Sequence, residues 1–285
     1  MKSVSQLPIG VFDSGVGGLT VLNALREALP NENLLYLGDT ARVPYGTKSS
    51  ASVTRYADQA VNALREREVK FVVIACNTAS AVAVDPLACQ YPEMPIVGVV
   101  GPGADVSCGV SQTGRIGVIA TESTVNNQAY QSAILQRRPD ATIKALACSM
   151  FVALAEEGWH EGELVEQIVA RCLEPISEGK DASIDTLVLG CTHFPVLKRA
   201  ISKVMGERVQ LVDSAETTAE FVKKLLRERA LGNSSAMLGE VSFLVTDSPE
   251  RFVRVARNFF AETIEPGAVE LIDIQHFQKI SPLIH

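Results

Sequence analysis

The sequence predicts an α/β protein built on mostly parallel sheets flanked by helices. Short apolar runs alternate with longer stretches of helical periodicity, the pattern left by β–α–β units. Most of those runs are unbroken rather than alternating, as expected of strands covered by helices on both faces. Two interruptions divide the chain: a glycine- and proline-rich crossing at 98–103, and Val212-Asp213-Ser214, where a strand gives way to a helix. The expected organisation is therefore one lobe of residues 1–99 plus 213–285 and a second of residues 100–212.

In chain order, the expected strands are IGVF (9–12), LLYL (34–37), FVVIA (71–75), IVGV (96–99), IGVIA (116–120), IKALA (143–147), TLVLG (186–190), QLV (210–212) and SFLVT (242–246). Between them, helical patterns run over 19–28, 50–67, 125–137, 164–173, 217–229 and 251–260. Nothing in the chain is low-complexity.

Composition narrows the function. The chain has 285 residues, 47% of them hydrophobic and 21% charged, which is a globular and not a disordered composition. Its net charge of −7 gives no chain-wide basic field for gripping nucleic acid. No apolar run approaches the roughly 18 residues of a membrane helix, and the start, MKSVSQLPIGVFDSG, does not read as a signal peptide. A cytoplasmic protein is expected, so the six cysteines are expected to be thiols. No CxxC pair occurs, which argues against a zinc ribbon or a thioredoxin-like site.

Two cysteines stand apart. In FVVIACNTAS (71–80) and TLVLGCTHFP (186–195), an apolar strand runs through a small residue into a cysteine, two polar residues and a helical stretch. Ligands of open α/β sheets bind beyond the carboxyl ends of strands. A cysteine there, near a helix amino end, is expected to favour thiolate. Cys76 and Cys191 are accordingly candidate reactive thiols, whereas Cys89, Cys108, Cys148 and Cys172 lack that context. A third strand end, IGVF into Asp13-Ser14-Gly15-Val16-Gly17-Gly18, has glycines suited to close approach by a ligand. It matches neither a dinucleotide fingerprint nor a phosphate loop, and Asp13 alone reads equally well as a helix cap. Cys191 and His193 make only two ligands, so no metal is expected.

Two matched thiols converging on one substrate suit inversion at a carbon: one thiolate removes a proton from one face while the other thiol delivers one to the opposite face. Each thiol needs a partner for its proton, and Asp13 and His193 are the nearest by motif.

DSGVGGLT (13–20), PYGTKS (44–49), ACNTAS (75–80), GVV (98–100), TVNNQAY (124–130) and GCTHFP (190–195), taken together, resemble the glutamate racemase family of the aspartate/glutamate racemase superfamily. The resemblance implies two pseudo-symmetric α/β domains with the site in the cleft between them. It implies cofactor-independent interconversion of L- and D-glutamate, supplying D-glutamate for peptidoglycan, and a possible homodimer with no nucleic-acid or membrane partner. Catalysis is implied for Cys76 and Cys191, supported by Asp13, His193 and Glu156 (Glu157 is adjacent and competes for that last role). Substrate contacts are implied for Asp13, Ser14, Tyr45, Gly46, Asn77, Thr78, Thr192 and His193, with Thr121 and Thr124 as further ones. The main alternative is an aspartate racemase or a related amino-acid isomerase. A cysteine hydrolase using Cys191 and His193, or a module that binds an amino acid without turnover, are the readings from other classes.

Overall fold

The computed structural model describes residues 3–177 and 184–275. Its strands are β1 (Ile9–Asp13), β2 (Leu34–Gly38), β3 (Phe71–Ile74), β4 (Ile96–Gly98), β5 (Arg115–Ala120), β6 (Thr142–Ala147), β7 (Thr186–Gly190), β8 (Gln210–Asp213), β9 (Val241–Val245) and β10 (Val269–Leu271). The helices are α1 (Leu19–Ala28), α2 (Ser50–Glu66), α3 (Asn77–Gln90), α4 (Val100–Val110), α5 (Glu122–Asn126), α6 (Ala129–Arg137), α7 (Met150–Glu156), α8 (Glu163–Ser177), α9 (Lys198–Met205), α10 (Ser214–Glu228) and α11 (Pro249–Ala256).

Two sheets result. One has the order β10-β9-β2-β1-β3-β4 and the other β6-β5-β7-β8, and every pairing among the described strands is parallel. The order 2-1-3-4 in the first sheet recurs as 6-5-7-8 in the second, so β1 corresponds to β5 and β3 to β7. Each sheet buries both faces. Leu22 and Leu25 of α1, Val222 of α10 and Phe252 of α11 cover one face of the larger sheet, and Val53 and Leu64 of α2 with Leu87 of α3 cover the other. In the smaller sheet the corresponding layers are Phe151, Val169 and Ile201 from α7, α8 and α9, and Ala104, Tyr130 and Ile134 from α4 and α6. This double burial is why the strands read as unbroken apolar runs. Helix α10 packs on both α1 and α4, and so joins the two sheets.

Several elements differ from the sequence reading. The glycine- and proline-rich stretch at 98–103 ends β4 and then opens α4; Pro102 fits in its first turn, where backbone N–H groups have no intrahelical acceptor to lose. The single helix expected over 125–137 is two, α5 and α6, because Gln128 takes a left-handed conformation at φ 53° and re-aims the chain. The helix expected to reach 260 stops at Ala256, and Phe259 and Phe260 turn back into the core. Strand β10, three residues long at the sheet edge, carries too little pattern to be read. The last ten residues of the expected first lobe, 276–285, lie outside the described residues.

Candidate functional site

Both halves of the site form where strand order reverses. β1 has β2 on one side and β3 on the other, and β5 likewise has β6 and β7. In open α/β sheets the crevice beyond the carboxyl ends of strands opens at such points. Cys76 follows β3 and precedes α3, with Ala75 N–H donating to Phe12 O of β1 at 2.8 Å. Cys191 follows β7, whose Gly190 pairs with Ala120 of β5. One cavity of about 440 Å³ receives both thiols.

Around Cys191 a chain of polar groups runs back from the cavity. His193 Nδ1 lies 3.8 Å from Cys191 Sγ, and His193 Nε2 lies 3.3 Å from Glu156 Oε1. Arg251 Nη2 of α11 donates to Glu156 Oε2 at 3.2 Å. Glu156 is therefore the partner of His193, and Glu157, beyond the end of α7, does not line the cavity. Burial opposes an imidazolium, but the hydrogen bonds to Cys191 and Glu156 and the charge of Asp13 outweigh it and carry the His193 pKa up to about 10. The same His193 hydrogen bond, with help from Arg251, holds the Glu156 carboxyl below its usual range. The ring is clamped from outside its own sheet: Phe259 meets it edge-on at 5.2 Å between centroids. A Cβ at Gly17 would run into His193 Nδ1 and Thr192 Oγ1, so only glycine fits there.

Cys76 sits in different surroundings. Burial pushes its thiol up to about 12, the charge of Asp13 adds to this, and hydrogen bonds from Ser14 and the Ala79 N–H only partly oppose it. The thiolate expected from the helix amino end is thus not favoured at Cys76; desolvation exceeds the dipole effect. Nor does Cys191 open an α-helix. A 3-10 turn, Phe194–Leu197, follows it, and α9 begins only at Lys198. Asp13 ends β1, fully buried, and accepts from the Gly15 N–H at 2.9 Å instead of capping α1, whose cap is Gly18. Burial raises its carboxyl, while the His193 charge and the N–H groups of Gly15, Gly18 and Ser14 pull it back.

The remaining expected residues gather at the same place. Ser14, Tyr45, Gly46, Asn77, Thr78, Thr121, Thr192 and His193 all line the cavity. Asp13 and Thr124 stand behind that lining. The hydroxyls of Thr78, Thr121 and Thr124 form a triangle with sides of 3.0, 3.0 and 3.3 Å that bridges the two sheets' loops. Thr20 Oγ1 donates to Thr192 O at 2.9 Å, fixing the loop after Cys191 to α1. Tyr45 lines the site, but its hydroxyl turns away to donate to the buried carboxylate of Asp39, which also accepts from Arg42 at 2.6 Å and Thr246 at 2.9 Å.

Sequence reasoning missed Arg251, Val43, Thr47, Ser149, Val152 and Ala153, all of which line the cavity. It also missed Asp39, which supports the site from behind. Cys148 also stands directly after a strand, β6, and before α7, a context the sequence reading denied it, yet it is buried among apolar side chains away from the cavity lining. Among the described residues no group of three or more His, Cys, Asp or Glu side chains has the arrangement of a metal site, and no helix is long and apolar enough to cross a membrane.

A family model described as Asp/Glu/Hydantoin racemase matches residues 9–222. A glutamate racemase of Geobacter metallireducens is 49% identical over 251 residues, covering 88% of this chain and 92% of that one. One from Neisseria meningitidis serogroup A is 44% identical over 270 residues, covering 94% and 97%. The crystal structure of glutamate racemase from Francisella tularensis in complex with D-glutamate superimposes with a TM-score of 0.86 at 36% identity, over 95% of this chain and 99% of that one.

Proposed function

Since the chain belongs to the Asp/Glu/hydantoin racemase family, we propose that it interconverts L- and D-glutamate by exchanging the α-proton between two thiols. The observation that carries this reading is the arrival of Cys76 and Cys191 in one cavity from equivalent strand ends of two sheets. A thiolate on one face takes the Cα proton; the S–H on the other face gives its proton to the resulting carbanion, and the two sulfurs end with exchanged protonation. Asp13 serves the Cys76 side, and His193 held by Glu156 serves the Cys191 side. Ser14, Gly46, Asn77, Thr78, Thr121 and Thr192 receive the substrate's carboxylates and ammonium, with Thr124 ordering the threonine pair. Donors fixed before reaction stabilise the carbanion's developing charge better than water would. Lobes of 1–99 plus 213–285 and 100–212 and a cytoplasmic location, expected from the sequence, and a homodimer and supply of D-glutamate to peptidoglycan, implied by the family resemblance, belong to this reading.

In heavy water, the purified protein is expected to wash deuterium into Cα of both glutamate enantiomers, with far slower exchange on aspartate. Absence of exchange under saturating glutamate would overturn the proposal. Cys76→Ala and Cys191→Ala are each expected to abolish net racemisation, and full activity in either would exclude the two-thiol route. A hydrolase built on Cys191 and His193 would instead tolerate the loss of Cys76.

A further inference from the structure

The TVNNQAY motif contributes more than Thr124. Its last residue, Tyr130 of α6, is fully buried and absent from the cavity lining, yet its hydroxyl donates to Asn77 Oδ1 at 2.7 Å. Asn77 does line the cavity. Its other amide atom, Nδ2, is buried and has no hydrogen-bond partner, and leaving a buried donor unpaired is unfavourable. An amide has one acceptor and one donor end. With the acceptor end committed to Tyr130 across the lobe boundary, the donor end is the part left for a ligand.

We infer that Tyr130 is a positioning residue: it fixes the Asn77 amide so that Nδ2, not Oδ1, is presented to a carboxylate of the substrate. This rests on the glutamate reading above, and the chemistry is that of an anion. A carboxylate is attracted by an N–H and repelled by a carbonyl oxygen, so a reversed amide would turn a donor into a repulsive contact. The ring of Tyr130 is itself held by the absence of side chains around it. A Cβ at Gly190 would approach it to 2.9 Å, and one at Gly103 to 3.1 Å. Gly190 immediately precedes Cys191, and Asn77 immediately follows Cys76. One side chain therefore packs beneath the residue before one thiol and bonds the residue after the other, which ties the Asn77 amide to the relative placement of the two lobes.

Tyr130→Phe keeps the ring and removes only the hydroxyl. Binding of D-glutamate, followed by calorimetry, is expected to weaken about tenfold, and KM to rise with it, while kcat changes less than threefold and the melting temperature falls by no more than a few degrees. A double-mutant cycle with Asn77→Ala separates positioning from general loosening: in the Asn77→Ala background the added Tyr130→Phe change is expected to have no further effect on binding. Where Asn77→Ala folds poorly, Asn77→Ser replaces it in the cycle. Unchanged binding in Tyr130→Phe, or additive losses in the double variant, would overturn the inference and leave the racemase reading intact. Failure of the wild-type protein to bind glutamate would remove both.

Discussion

Replacing Glu156 with glutamine tests whether an ion pair holds the proton of His193. The two groups are 3.3 Å apart. At that separation, two unit charges interact by about 5 kcal/mol with an effective dielectric near 20, and by about 1.3 kcal/mol in bulk water. The Glu156 side chain is 29% exposed and shares its charge with Arg251, so we take about 1.5–3 kcal/mol. At 1.36 kcal/mol per pKa unit, that lowers the His193 midpoint from about 10 to about 8 or 9. The assay is an NMR titration of imidazole-labelled protein, with His193→Asn assigning the resonance. Stability gives a second readout with a definite sign. A folded pKa raised above the unfolded value stabilises fully below about 6.5 and loses that contribution as pH rises through about 10. The stability gap between wild type and Glu156→Gln should therefore be widest near pH 6 and narrow toward pH 10 in urea unfolding. Identical midpoints for His193 in the two proteins would refute the reasoning.

Three further outcomes follow from the same geometry. Gly17→Ala drives a methyl group into His193 and Thr192 and should cut kcat by at least tenfold in a folded protein, measured by circular dichroism of glutamate turnover; wild-type kcat would show that the loop yields freely. With the Cys76 thiol pushed up to about 12, only about one molecule in 10⁴ is thiolate there at pH 8. Iodoacetamide should then label exposed Cys89 at least ten times faster than Cys76 in peptide mapping, and the reverse order would contradict the desolvated thiol. Tyr45→Phe removes a donor from the fully buried Asp39 and should cost about 1–3 kcal/mol in urea unfolding; a cost near zero would mean that Arg42 and Thr246 alone satisfy that carboxylate.

What the sequence made legible were features written locally. β1, β3 and β7 read as apolar runs because both faces are buried, and the cysteines stand out because a polar pair follows each strand end. Residues that act through distant partners left no such trace. Arg251 is 95 positions from Glu156, and only the placement of α11 beside the end of α7 brings them together. Asp39 follows a strand like the others, but its role depends on Tyr45 folding back over it. The state of Cys76 was misread for a related reason: position at a helix amino end is visible in a motif, whereas burial, which here dominates, is a property of the assembled core. In the second repeat, Pro195 and the short turn after His193 replace the helix amino end that the matching patterns suggested.

The repeat of strand order makes the two thiols topologically equivalent, but their surroundings are not. Two residues after Cys76 stands Thr78, a neutral hydroxyl; two residues after Cys191 stands His193, a cation well past neutral pH. Before each turnover a two-thiol racemase needs one sulfur protonated and the other not. A symmetric pair would leave that choice to chance; here burial and the charge of Asp13 hold Cys76 toward the thiol, while the His193 ring stands beside Cys191. On the two-thiol mechanism proposed above, reaction in one direction then begins from the resting state, while the other must first move a proton, by way of Asp13 or His193. Because the two enantiomers are equally stable, kcat/KM is bound to be equal in both directions at every pH. The bias therefore cannot favour one product at equilibrium; it can appear only as paired changes in kcat and KM between enantiomers.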